Sequence, residues 1–488
     1  LVDGQYHNVT SYLDTGASSV VFSTATATSL GLNPVRYPDP VTSNPVVFND
    51  VGSTGTAAFQ VSDNLTLQFA QFTPTANVST TGDYSAYAQT TPVRIHLGPV
   101  QQTPLDPLDA TIADLSGGVD VVGMPAIRGR TIVVDPSRVD TFDIAALLAP
   151  LLDASLGQDA QLPDVSAHTF LYQRTGTAAD NFRPATAATD PGIPQTNRQV
   201  RLSYSNFAAF TSVDPVGAPA PDIQANPFIG IDPIVAAHNA RPGVTPVAVA
   251  ADAPKGVTVK YGAEPAGGFP AGNFLLDTGA SVSMLSSKTA GKLGITVGER
   301  AGVDANGDPI QIPYIMYNGV EVASTEQFTL PVGGISGSAE LAGFYLDSLE
   351  VPTKEGDVLR WLHVPVLIND ITLTGKDPYD PTSDLTVTLD GVFGMNLLIG
   401  SADFGGDILS DPTGLLSLEV QPSAFDWLVM DFTDGQEPTL GLNLKSEFVP
   451  EPASLSLLVL GAVAMLRRRF RSKTTCWHEG GTEHVVCL

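Results

Sequence analysis

The chain has 488 residues, 43% hydrophobic and 15% charged, which is ample material for two or three packed domains and excludes a disordered chain. Its 24 Lys and Arg stand against 51 Asp and Glu, a net charge of −27, which argues against nucleic acid as a partner because phosphate binding needs clustered cations. Such acidity suits a solvated protein working outside the cytoplasm. The only cysteines, Cys476 and Cys487, lie near the C-terminal end, so the body is expected to fold without disulfides or a cysteine-ligated zinc. No metal or other cofactor is expected.

In chain order, the first landmark is Asp14-Thr15-Gly16-Ala17-Ser18, within YLDTGASSVVFS. It lies close to Leu1, and no initiator Met or export signal precedes it, so the expectation is a truncated N-terminus. Residues 1–140 read as β-rich: the apolar runs SVVF, NLTLQF, VRIHL and RTIVV alternate with Gly, Pro, Asn, Asp and Ser turns. Thr141 to Gly157 has the longest helical pattern, split by Pro150. HTFLYQR and QVRLSYSNF then read as strands. Residues 213–255 are rich in Pro, Ala, Val and Asp, the composition of a semi-extended connector with few internal contacts. A β-rich texture returns and runs to about Phe448.

That second half repeats the first. Asp277-Thr278-Gly279-Ala280-Ser281 again follows an apolar run, and again a Leu-Gly pair follows it (Leu30-Gly31, then Leu293-Gly294). Gly52 to Leu67 resembles Gly334 to Val351, each opening on Gly-x-x-Gly. Val121-Val122-Gly123-Met124 matches Val392-Phe393-Gly394-Met395. The order is the same in both halves, so two homologous lobes are expected.

Paired Asp-Thr-Gly loops have a chemical rationale. A carboxylate at a cleft mouth sits on a tight turn, Gly lets another backbone approach, and the Thr hydroxyl can bond across to the matching loop. Two lobes meeting this way bring Asp14 and Asp277 together. Like charges so close do not both ionise, so one carboxyl stays protonated and the pair titrates as a unit. One carboxylate then activates water while the other polarises a carbonyl. A single Asp-Thr-Gly is more often a plain turn; two identical pentapeptides in matched contexts are not.

On these residues the sequence resembles the pepsin-like aspartic proteases, and its Ala-Ser loop endings resemble the retroviral-type relatives. The resemblance covers about residues 1–135 and 257–448. It implies an all-β, bilobal pepsin-like acid protease fold of two related β-barrel-like lobes. It also implies a catalytic pair Asp14 and Asp277, with Thr15, Gly16, Thr278 and Gly279 shaping the loops, and a peptide or protein as substrate. Val121-Val122-Gly123 and Val392-Phe393-Gly394 match the apolar-apolar-Gly element that packs beneath each catalytic loop in that family. The first-lobe hairpin, Gly52 to Leu67, lacks the Tyr such enzymes carry there; Tyr84, Tyr87 and Tyr345 are candidates for its place. Ala17 and Ala280 stand where many acid-optimum members have Ser or Thr, which predicts an activity window shifted towards neutral pH. The alternative reading is a non-catalytic, surface-displayed peptide-binding or structural protein on the same fold.

The C-terminal stretch is of another kind. Val449-Pro450-Glu451-Pro452, an apolar segment to Leu466 and Arg467-Arg468-Arg469 resemble a PEP-CTERM sorting signal. Its 14 largely apolar residues from Ala453 to Leu466, expected to form a short helix, are fewer than the roughly 20 a spanning helix needs. The resemblance implies export, transient membrane contact, an exosortase-type protease as partner, and release at the surface or surroundings of a Gram-negative-type bacterium. Such signals normally end after the arginines, so residues 472–488 read as an atypical tail, best explained by a frameshifted or mispredicted gene end. Its Cys476, His478, His484 and Cys487 lack zinc-finger spacing. Asp304 to Asp308 begins like a calcium loop, but Pro309 and Ile315 occupy the Gly and acidic positions, leaving Asn306-Gly307 as a hairpin turn. The expected organisation is thus an N-terminal lobe (1–212), a connector (213–255), a C-terminal lobe (256–448), a sorting signal (449–471) and a tail (472–488), in a monomer.

Overall fold

The computed structural model describes residues 11–32, 47–52, 55–67, 92–98, 120–136, 168–173, 193–211, 222–303, 309–334, 337–402, 420–433, 437–446 and 483–487. Over these the chain is mainly β, in several mixed and antiparallel sheets with short helices between.

The apolar runs flanking each Asp-Thr-Gly build two sheets with one strand order. In the first half, Tyr12–Leu13, Val121–Val122, Val21–Phe22, His96–Leu97, Gly55–Val61 and Phe48–Gly52 lie side by side in that sequence. Within an eleven-stranded sheet of the second half, Phe274–Leu276, Gly391–Phe393, Ser283–Leu285, Val358–Ile368, Gly337–Pro352 and Gln327–Gly334 follow in the corresponding order. Strand directions agree too: the first pair is parallel, the second antiparallel and the third parallel in both halves. The duplication read from short motifs is therefore a duplication of topology.

Local chemistry explains the repeated motifs. Each Gly-x-x-Gly closes an antiparallel hairpin, with Gly52 opposite Gly55 and Gly334 opposite Gly337. Ser23 and Ser286 cap the six-residue helices Thr24–Ser29 and Ser287–Lys292, each Oγ accepting from the N–H of Thr26 or Thr289 at 3.1 Å. The Leu-Gly pair ends both helices, since Gly31 and Gly294 take φ of 66° and 80°, a left-handed turn that L side chains resist.

The halves do not fold apart. A five-stranded sheet interleaves them in the order His168–Gln173, Arg130–Asp135, Phe425–Asp431, Thr439–Leu444, Arg198–Arg201. The main core is continuous across it: Met124, Ile127, Ile132 and Val134 pack in one cluster with Phe393, Trp361, Leu428 and Met430. HTFLYQR and QVRLSYSNF form strands as expected.

Residues 213–255 differ from expectation. Of their described part, 226–239 is not a loose connector, whereas 241–255 carries no strand or helix and is largely exposed. Asn226–Ile229 is a buried strand joining Ser203–Ser205 to Phe274–Leu276, and Pro233–Asn239 is a helix with Pro233, Ile234 and His238 buried. Composition misled because Pro227 stands within the strand, opposite Tyr204, and Pro233 at the first turn of the helix, where a missing N–H costs little. In the tail, Glu483–Cys487 forms a strand that pairs in parallel with Val358–Leu362. The helical pattern at 141–157, Tyr84, Tyr87, the Asn306-Gly307 turn and the sorting signal at 449–471 lie outside the described residues. The strands flanking that turn pair antiparallel from Ile295 opposite Tyr317 to Val303 opposite Pro309.

Candidate active site

Each Asp-Thr-Gly begins where a two- or three-residue strand runs out. Tyr12-Leu13 pairs with Val121-Val122, and the Asp14 N–H continues the ladder onto the Val122 carbonyl at 3.0 Å. Leu275-Leu276 pairs with Val392-Phe393, and the Asp277 N–H bonds the Phe393 carbonyl at 3.1 Å. Beneath the loops, the Met124 N–H reaches the Ala17 carbonyl at 2.9 Å and the Met395 N–H the Ala280 carbonyl at 2.8 Å. These contacts need the bare Cα atoms of Gly123 and Gly394, where an added Cβ would stand 2.4 Å and 2.8 Å from the same two carbonyl oxygens.

The loops then meet. The Thr15 N–H donates to Thr278 Oγ1 at 3.0 Å, and the Thr278 N–H donates to Thr15 Oγ1 at 3.1 Å. Each hydroxyl in turn donates across the interface, Thr15 to the Leu276 carbonyl and Thr278 to the Leu13 carbonyl, both at 2.7 Å. Every polar atom of the two threonines' cross-contact is thus satisfied, as buried polar groups require. Asp14 Oδ1 accepts from the N–H of Gly16 and Ala17 at 2.7 and 3.2 Å, and Asp277 Oδ1 from Gly279 and Ala280 at 2.8 and 3.1 Å. Each carboxyl also lies over the other loop's glycine: a Cβ on Gly16 would stand 2.4 Å from Asp277 Cγ, and one on Gly279 would stand 2.5 Å from Asp14 Oδ2.

The six residues picked from the sequence therefore come together in one place. Burial, then the Asp14 charge and a hydrogen bond with Asp14, push the Asp277 carboxyl well above the usual carboxylate range, against the opposing pull of the Gly279 and Ala280 N–H groups. The raised Asp277 pKa favours the state in which that carboxyl keeps its proton, and a water between the carboxyls would then meet a base on one side and an acid on the other.

Supporting residues that sequence reading missed are polar side chains buried under the loops. Asn226 Nδ2 donates to the carbonyls of Thr15 and Gly16, both at 3.0 Å. Ser283 and Asn396 brace the second loop: Asn396 Oδ1 accepts from the Ser283 N–H and hydroxyl at 2.9 and 2.8 Å, and Ser283 Oγ accepts from the Gly394 N–H at 3.0 Å. In the sequence Asn226 shows only as a polar residue opening the apolar run NPFIGI. Tyr345 is not at the pair; its ring is buried in the core of the second half and stacks on His363 at 4.4 Å. Beside the first-half hairpin stands His96, 1% exposed, with Nδ1 2.7 Å from Ser19 Oγ and its ring stacked on Phe59. Burial lowers its pKa despite Asp50, which keeps the ring neutral at pH 7. Among the described residues no group of three His, Cys, Asp or Glu side chains gathers to hold a metal ion.

No protein-family profile, curated protein or solved structure matches this chain.

Proposed function

We propose that the chain is an aspartic-type endopeptidase on a bilobal, pepsin-like fold, hydrolysing peptide bonds with a water activated between Asp14 and Asp277. The observation that carries the reading is the reciprocal clasp of the two loops, which presents the two carboxyls side by side, each above the other loop's glycine. A water seated between them gives a proton to the ionised carboxyl as its oxygen attacks the peptide carbonyl carbon. The protonated carboxyl gives its proton to the carbonyl oxygen, forming a neutral tetrahedral diol. The C–N bond then breaks as the amide nitrogen takes the proton first removed from water, and the second carboxyl recovers its own from the diol. No covalent intermediate or co-reactant is needed. The hairpin Phe48–Gly52 with Gly55–Val61 is the cover such a cleft would use.

Export and surface sorting by an exosortase-type protease belong to the same proposal, supported by the C-terminal sequence pattern. A second reading, a peptide-holding protein without catalysis, is favoured by one observation, the lack of Tyr in the first-half hairpin. Pepstatin, a mimic of the tetrahedral diol, separates the two when combined with an unfolded protein substrate. Cleavage blocked by stoichiometric pepstatin is the expected result. Tight substrate binding without cleavage would favour the holding protein.

A further inference from the structure

The N–H bonds to the two carboxyls and the threonine clasp match group for group, but the loop carbonyls behind those N–H groups do not. Asn226, 3% exposed, donates from Nδ2 to the carbonyls of Thr15 and Gly16. Each of these carbonyls is the far end of a peptide group whose N–H binds Asp14. The Thr15 carbonyl shares its peptide group with the Gly16 N–H, and the Gly16 carbonyl shares one with the Ala17 N–H. Among the described residues no side chain bonds the equivalent carbonyls of Thr278 and Gly279. A carbonyl that accepts a hydrogen bond polarises its peptide group and makes the attached N–H a better donor, an effect enlarged in a dry interior. Both donors to Asp14 Oδ1 are strengthened in this way, whereas among the described residues no side chain does the same for the donors to Asp277.

We propose that Asn226 is a positioning residue that makes the pair asymmetric, drawing the single negative charge to Asp14 and leaving the proton on Asp277. Asp14 is then the base that takes the proton from water, and Asp277 the acid that protonates the carbonyl oxygen. The assignment of these steps rests on the peptidase reading; the charge asymmetry does not. Its placement is rigid from both sides. The Gln224 N–H bonds the Ser18 carbonyl at 2.8 Å, and the strand Asn226–Ile229 pairs with Phe274–Leu276, which leads into Asp277. One segment thus touches the first loop and supports the second. The raised pKa of Asp277 agrees in direction.

The test is carboxyl-carbon NMR on the full chain with ¹³C-labelled aspartate, the two signals being assigned with Asp14→Asn and Asp277→Asn. At the pH where the pair holds one proton, the expected wild-type spectrum has Asp14 at the ionised position and Asp277 at the protonated one. In Asn226→Leu, and in the smaller Asn226→Ser, the two signals should move towards each other. The acid limb of kcat/KM should rise by about half a pH unit with KM changed less than about twofold, since peptide polarisation changes a hydrogen bond by a fraction of its strength. A proton found on Asp14 in the wild type, or an unchanged separation in a variant that keeps the wild-type fold, overturns the proposal. Convergence of the signals in a protein that cleaves no peptide would uphold it while refuting the peptidase reading.

Discussion

Position 16 shows how little room the site leaves. A methyl group there would sit 2.4 Å from the Asp277 carboxyl carbon, and the nearby atoms belong to a side chain already held by two N–H groups. Gly16→Ala should therefore displace Asp277, lower peptide hydrolysis by about 100-fold or more, and cost about 1–3 kcal/mol of stability from overpacking, as read by kcat/KM and urea unfolding. Positions 17 and 280 bear on pH. Only their backbone N–H groups reach the carboxyls, and alanine offers no hydroxyl to support charge. Burial raises the Asp277 pKa, so the one-proton state of the pair persists to higher pH than free carboxyls allow. Activity is accordingly expected to extend towards neutral pH, and Ala280→Thr to move the profile towards acid. A wild-type profile confined below about pH 4 would contradict this.

At the scale of elements, the helix Pro233–Asn239 is fastened by a buried histidine. His238 Nδ1 bonds Asp377 at 2.7 Å and Nε2 bonds the Thr245 carbonyl at 3.1 Å, so both ring nitrogens face acceptors, the pattern of an imidazolium. Arg241 and the Tyr379 N–H complete the shell of Asp377, and Tyr379 packs on the imidazole ring. The bond to Asp377, then that to Thr245, raises the His238 pKa. Burial pushes Asp377 up, but His238, the Tyr379 N–H and Arg241 outweigh it and hold its carboxyl below the usual range. The stabilisation from His238 is complete below its unfolded value of about 6.5 and is lost as pH rises through the raised folded value. That from Asp377 is present above about 3.9 and is lost as pH falls through its lowered value. The clip is strongest between these limits, at about pH 4 to 6.5. Melting temperature should fall as pH rises past neutral in the wild type, while His238→Gln should melt lower at pH 6 and lose that alkaline decline. A variant that keeps the alkaline decline would place its cause elsewhere.

For the whole molecule, the shared five-stranded sheet makes the halves interdependent. Phe425–Asp431 needs Arg130–Asp135 beside it, Thr439–Leu444 needs Arg198–Arg201, and Phe274–Leu276 needs Asn226–Ile229. Residues 256–448 expressed alone would expose three strand edges and are expected to aggregate, whereas the full chain should unfold in one calorimetric transition. Two well-separated transitions would show independent halves. The sequence displayed the repeat because Asp-Thr-Gly, Gly-x-x-Gly and Leu-Gly ends are local devices, each tied to a turn only certain residues can make. The site itself was legible for the same reason, down to the reciprocal threonine bonds. What escaped was non-local. The run NPFIGI opens on a buried Asn whose partners lie about 210 residues away, and composition alone could not reveal that a Pro-rich stretch passes beneath the pair. The strand Glu483–Cys487 was hidden likewise, its pairing depending on an edge more than 100 residues upstream.

The most direct test of a shared carboxyl pair compares casein cleavage by the wild type with Asp14→Asn and Asp277→Asn, from acid to slightly alkaline pH. Each single substitution is expected to abolish cleavage while leaving the melting profile close to wild type. Cleavage that survives both substitutions would contradict the account.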